Sequence, residues 1–268
     1  MSGFDGTWLA LREPVDHAAR EMALVEALAQ ALAPIDAPSL VDIGCGTGST
    51  WRYLSSQLPE RTQWLLVDHD PLLLTDARHR IGADHPVRFQ VHDLTDVAEL
   101  PLEGVSVVTA SALFDLCSRA FCETLIDRLT RTGCGLYAAL NYDGTMTWSR
   151  PHPLDDAVVA AFNQHQRGDK GFGPALGPDA TDCLTDLLTN RGFHVLTGDS
   201  PWQMDHGHAA LQSAFLKGFR QPLLDIGDLS DGEIEAWLSF RLATIEAPEN
   251  LCRVGHRDLL ALPPKDWV

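Results

Sequence analysis

Apolar residues recur along this chain with two different periods. After Pro14, the residues Val15, Ala18, Met22, Val25, Ala29 and Leu32 fall three or four apart, which predicts an amphipathic helix over roughly 14–33, ended by Pro34 and Pro38. Short apolar runs then predict strands at Ser39–Ile43, Gln63–Val67, Val87–Val91, Ser106–Ala110 and Gly135–Leu140. Helical spacing returns between them. One helix starts at Ser49. A second is opened by Asp70 as N-cap and Pro71 at its first position, and carries Leu72, Leu73, Leu74, Ala77 and Ile81. A third is capped by Ser118, with Phe121, Cys122, Leu125, Ile126 and Leu129 on one face. Strands alternating with helices in this way predict a parallel sheet covered by helices on both faces.

Beyond the fifth strand the alternation breaks twice. Residues 142–178 hold few periodic runs but many aromatic, proline and glycine positions, and a stretch that long between elements is more often functional than idle. Asp179 to Arg191 reads as a helix stopped by Gly192, and Phe193–Thr197 as a sixth strand. Residues 206–247 form the second break: a helix over His208–Phe219, then the capping box Ser230-Asp231-Gly232-Glu233 opening another. Leu251–Leu262 reads as the last strand. Seven strands, mostly parallel, are expected.

The chemistry is organised around Asp42-Ile43-Gly44-Cys45-Gly46-Thr47-Gly48-Ser49. Strand, glycine turn and helix in that order build the first crevice of a doubly wound sheet, where nucleotide-like ligands bind. Glycine permits positive φ and leaves no Cβ in a ligand's way. Ser49 stands where a dinucleotide fingerprint has its third glycine, and no Lys follows the last glycine as a phosphate loop requires. Asp68 ends the second strand twenty residues past Gly48, the spacing of an acidic residue that accepts from ribose hydroxyls.

The D/E-x-G-x-G-x-G run from Asp42 to Gly48 resembles the first motif of class I S-adenosylmethionine (SAM)-dependent methyltransferases, and the likeness extends over about 40–200. It implies an α/β, Rossmann-like class I methyltransferase fold, with SAM as methyl donor and S-adenosylhomocysteine as product. It implies a single domain over 1–268: an N-terminal helical lid at 1–36, a SAM-binding half at 37–141, a substrate-side insertion at 142–178 and a C-terminal half at 179–268. A helical insertion before the last strand, at about 206–247, departs from the family pattern and suits substrate binding or dimerisation. On this likeness Asp42, Gly44, Cys45, Gly46, Asp68, His69, Asp93, Leu94 and Ser111 are the cofactor-binding candidates. Asp93, after the third strand, matches the acidic residue set against the adenine amino group, and Arg12 is a candidate for the methionine carboxylate. Trp8 fits either the lid or the core.

Composition narrows the partners. Of 268 residues, 45% are hydrophobic and 21% charged, a globular profile, and the net charge of −17 disfavours phosphate backbones and anionic lipid. The six cysteines make no C-x-x-C pair and no metal-ligand spacing, so they read as core residues of a reducing compartment, without a metal. No run is long enough to span a membrane, and a cytoplasmic enzyme is the default expectation. A small-molecule acceptor is expected, and a homodimer is left open.

The exit of the fourth strand, Ala110-Ser111-Ala112-Leu113, lacks the [DN]-P-P-[YF] motif of amino-group methyltransferases acting on adenine or glutamine. The acidic cluster of Mg-dependent catechol-type enzymes is missing too. Within 163–174, His165, Arg167 and Lys170 beside Phe172 suit an anionic or aromatic acceptor. Asn141, Tyr142, Trp148, Arg167 and Lys170 are therefore the substrate-binding candidates, and His165 and Asp115 the candidate bases. Two other readings stay open at this point: a nicotinamide-dependent oxidoreductase with a degenerate fingerprint, and a SAM-binding sensor or scaffold without transferase activity.

Overall fold

The computed structural model describes residues 6–264. In place of one helix over 14–33 there are two, α1 (Gly6–Ala19) and α2 (Met22–Leu32), and Pro14 lies inside α1 and not at its start. The break falls at Arg20–Glu21. Glu21 is extended, caps α2 with its own carboxylate, and donates its backbone N–H to Asp258 Oδ2 at 3.1 Å. That buried carboxylate holds the bend, so its cause lies at the far end of the chain.

The chain continues through β1 (Ser39–Ile43), α3 (Ser49–Leu54), β2 (Gln63–Asp68), α4 (Pro71–Ile81), β3 (Val87–Val91), a 3-10 turn at Leu94–Glu99, β4 (Val107–Ser111), α5 (Arg119–Thr132) and β5 (Gly135–Trp148). It then forms α6 (Asp155–Gln166), α7 (Ala180–Thr189), β6 (His194–Asp199), β7 (Trp202–Asp205), α8 (Ala209–Lys217), α9 (Arg220–Ile226), α10 (Asp231–Thr244) and β8 (Leu251–Leu262). The sheet runs β3-β2-β1-β4-β5-β8-β6, with β7 also paired to β8. β1 to β5 pair in parallel, and β8 is antiparallel to each of its neighbours.

Four features differ from the pattern expected of the sequence. β5 continues past Leu140 to Trp148, crossing two register shifts against β8. At the first shift Leu140 has φ +57°, and its N–H donates to Asp258 Oδ1 at 2.7 Å. Such bulges erase the strict alternation that marks a strand. Within 142–178, α6 replaces the expected loop; its buried stripe is only Val158 and Ala161, too weak a contrast to read. β7 is an eighth strand of four residues, and α9 makes the insertion three helices where two were expected.

The core has three parts. On one sheet face α5 and α7 cover Val41, Ile43, Val108 and Leu136; on the other α2, α3 and α4 cover Leu40, Trp64, Leu66 and Tyr137. The third lies over the extended ends of β5 and β8, where α6 and the inserted helices enclose Met146, Trp202, Phe219, Trp237 and Val254. Its polar anchor is Arg241, 2% exposed, which pairs with Asp155 at the start of α6 and donates to the Arg150 carbonyl at 2.7 Å. This third core raises a wall beside the C-terminal edge of the parallel strands.

Candidate functional site

Between that edge, α1 and the 169–172 loop lies a cavity of about 870 Å³. Its floor is the glycine turn. Gly44, Gly46 and Gly48 take φ of +62°, +53° and +81°, and a Cβ on Gly46 would stand 3.2 Å from Leu9 of α1, so the turn is covered closely by the N-terminal helix. α1 is fastened there. Glu13 makes a two-pronged pair with Arg52 of α3 at 2.6 and 2.7 Å, and His17 Nε2 lies 2.9 Å from Ser49 Oγ.

Asp68, 4% exposed, accepts the Gly46 N–H at 2.8 Å on Oδ2 and the Asp70 N–H at 3.0 Å on Oδ1. His69 Nδ1 lies 3.3 Å from the same Oδ1. The carboxylate thus pins the glycine turn to the start of α4 as well as facing the cavity. Asp93 is exposed; its Oδ1 accepts from the backbone and hydroxyl of Thr95, which holds its carboxyl below the usual carboxylate range. Cys45 and Leu94 complete this side of the wall.

Arg20, at the break between α1 and α2, was not singled out in the sequence. It is 4% exposed, donates to Ser111 Oγ at 2.7 Å and Thr50 Oγ1 at 3.4 Å, and lies over the Tyr53 ring. Its Nε and Nη1 are closed off from solvent, and the guanidinium lies against the Tyr137 ring as well. Burial lowers its pKa, but Tyr137 and Asp258 outweigh that and hold it above the ordinary arginine value. Arg20 lines the cavity, and a buried guanidinium there can meet a carboxylate. No sequence signal marks it, because on an unbroken helix Arg20 would sit on the polar face.

Arg12, expected to take a carboxylate, is already paired: it bonds Asp16 at 2.8 and 3.1 Å and stacks over Trp202. Asp42 does not reach the cavity; it lies beneath the glycine turn, 1% exposed, with Thr109 Oγ1 donating to it at 2.7 Å. Burial raises its pKa to about 7, against the pull of Thr109 and Arg20.

Of the substrate candidates, Lys170 lines the cavity and four others do not. Asn141 is fully buried in β5, donating to the Arg257 carbonyl at 3.2 Å. Tyr142 packs in the third core and donates to Asn163 at 2.8 Å, and Trp148 there meets Trp237 edge to face and lies under the Arg241 guanidinium. These three turn inward because β5 runs on as a strand where a loop was expected. Arg167 is exposed and paired with Asp179 at 2.9 Å. The candidate bases also stand off the cavity wall. Asp115 is not among the lining residues, and burial raises its pKa to about 6; His165 reaches the cavity only through Lys170. Trp8, Leu113, Leu116 and Phe172 give this end an apolar lining.

Residues 40–133 match the model of a methyltransferase domain. Comparison with curated protein sequences finds no match. Similar solved structures include the cyclopropane synthase MmaA2 from Mycobacterium tuberculosis, 14% identical, covering 96% of this chain and 94% of that one with a TM-score of 0.50. YjhP from E. coli is 15% identical over 92% and 95% at 0.48, and a geranyl diphosphate methyltransferase solved with SAM is 15% identical over 98% and 92% at 0.47. At such identities the likeness is one of fold. Residues 40–133 thus match a methyltransferase domain, and the chain shares with MmaA2 a mixed α/β, Rossmann-like fold.

Proposed function

We propose that this protein transfers a methyl group from SAM to a small anionic or aromatic acceptor. The observation that carries the reading is that an open glycine turn, Asp68 and the buried guanidinium of Arg20 line one cavity. An amino acid joined to a nucleoside fits that wall. Arg20 would take the carboxylate, Asp68 the ribose hydroxyls, and Leu73, Leu94 and Asp93 the base and its amino group.

Held by the glycine turn, Asp68 and Arg20, SAM would supply an electrophilic methyl group to the acceptor. The protein's share is alignment and the exclusion of water, from which effective molarity supplies much of the acceleration. α1, held by Glu13–Arg52 and His17–Ser49, closes the cavity over the glycine turn and keeps water out. A group that takes a proton is needed only for an acceptor that must lose one.

Calorimetry tests the reading. SAM and S-adenosylhomocysteine should compete for one site, and Arg20→Met should weaken both by about tenfold or more, since a charge-assisted bond contributes about 1.5–3 kcal/mol. Absence of binding by either ligand rules the reading out. Binding without label transfer from methyl-labelled SAM to any small molecule of a cell extract favours the sensor alternative.

A further inference from the structure

The chain has three lysines, Lys170, Lys217 and Lys265, and Lys170 lines the cavity. Its Nζ lies 3.1 Å from His165 Nδ1 on α6, and His165 Nε2 lies 3.5 Å from Asp225 Oδ2 on α9. Three groups therefore stand in line from the cavity to the inserted helices. An ammonium only donates, so Nδ1 must accept, which leaves the ring proton on Nε2, facing the carboxylate. A neutral imidazole is what the surroundings favour, since burial and Lys170 together hold His165 below its ordinary pKa.

Lys170 spends one of three donors on His165, its only hydrogen-bond partner among the described residues. The other cations nearby are neutralised: Arg12 by Asp16 and Arg167 by Asp179. Lys170 is thus the uncommitted cation of a largely apolar end lined by Leu116 and Phe172, where the Asp169 carboxylate is tied to the Gly171 and Gly173 N–H groups at 2.7 and 3.1 Å.

We infer that Lys170 anchors the acidic oxygen of the methyl acceptor, a small carboxylate with an apolar body, and that His165 and Asp225 are positioning residues through which the insertion shapes acceptor recognition. This rests on the methyltransferase reading above. His165 then serves as an orienting group and not as the base expected from the sequence.

Benzoate, an aromatic carboxylate, is the probe, titrated into protein saturated with S-adenosylhomocysteine. It should bind saturably, Lys170→Met should weaken it by about tenfold or more, and Lys170→Arg should retain most of the affinity, with S-adenosylhomocysteine affinity unchanged within about twofold. In wild-type protein benzoate should slow acetic anhydride modification of Lys170 and leave Lys217 unaffected, read by mass spectrometry. The charged groups around Lys170 are Asp169 beside it in the loop, His165 from α6, Asp225 from α9 and, across the cavity, the Arg12–Asp16 pair of α1. Asp225 raises the Lys170 pKa against the fall caused by burial, so Asp225→Asn should move the pH midpoint of Lys170 acetylation downward, which a merely structural role would not do. Benzoate that fails to bind the S-adenosylhomocysteine complex, or binds Lys170→Met equally, overturns the anchor; an unmoved midpoint in Asp225→Asn overturns the positioning role. Failure of S-adenosylhomocysteine itself to bind would instead defeat the methyltransferase reading.

Discussion

Asp68 shows how one carboxylate answers to two demands. The twenty-residue spacing from Gly48 marks it as a ribose acceptor, yet each oxygen already takes a backbone N–H, from Gly46 and from Asp70. Each oxygen keeps a second lone pair, so ligand contact and turn anchoring are compatible. Replacement should then damage both. Asp68→Asn keeps one acceptor oxygen but turns an amide toward one of the two N–H donors. It should lower stability by about 1–3 kcal/mol, the cost of leaving a buried donor unmet, and weaken SAM by about tenfold. Denaturant unfolding and calorimetry on the same protein separate the effects. Unchanged stability with weakened binding would reduce Asp68 to a ligand contact, and the converse to a structural clasp. Arg20 is the opposite case. Its place is set by Asp258, which fixes the N–H of Glu21 from a strand 237 residues away, so no local pattern announces it.

At the scale of elements, β1 to β4 were legible because each is a short run of five or six residues closed by a turn residue or a cap. Asp70 and Ser118 cap their helices as their sequence positions suggest, accepting from Leu72 and Phe121. The elements that escaped notice take their identity from remote partners. β7 exists by pairing with the first half of β8, the far part of β5 by its bulged register with the same strand, and α9 by packing on α6. Misjudging β5 also misplaced Asn141, Tyr142 and Trp148, which lie buried on it. The cofactor side was more readable than the acceptor side for the same reason. The glycine turn and Asp68 are local to βα units, whereas the Lys170 end is assembled from α1, a loop and the insertion. The docking of α1 makes a separate test. Arg52→Met removes both prongs to Glu13 and the bond to the Thr47 carbonyl at 2.5 Å. Hydrogen bonds to charged groups contribute about 1.5–3 kcal/mol, so α1 should loosen, with faster amide exchange over 6–19 and weaker SAM binding. Exchange in β1 and β4 should not change. Equal acceleration across the sheet would mean that the pair supports the whole fold and not the lid.

Across the whole molecule, buried titrating groups in separate parts of the core oppose one another, and this gives the pH dependence of stability a form that can be worked out. Asp42, beneath the glycine turn, is lifted by burial from 3.8 to about 7. The folded state therefore holds its proton more tightly than the unfolded chain does. The stability this contributes is fully present below about 3.8 and is lost as pH rises through about 7. Asp115, lifted by burial to about 6, acts in the same direction over a narrower window. His256, fully enclosed between Tyr142 and Trp202, is pushed from 6.5 down to about 4 by burial and then by Arg12. Its contribution has the other sign: present above about 6.5 and lost as pH falls through about 4. Between pH 4.5 and 6.5 Asp42 and His256 each change stability by roughly 1.4 kcal/mol per pH unit, in opposite directions, and so largely cancel. Single variants should expose the hidden slopes. Relative to wild type, Asp42→Asn should gain stability with rising pH over this window, and His256→Gln should lose it, each by up to about 3 kcal/mol in total. Groups common to all three proteins drop out of these differences, the acid-sensitive Asp93 and Asp155 among them. Urea unfolding at pH 4.5, 5.5 and 6.5 is the measurement. Three parallel curves would mean that neither group changes its proton affinity on folding, and the opposed pair would have to be given up.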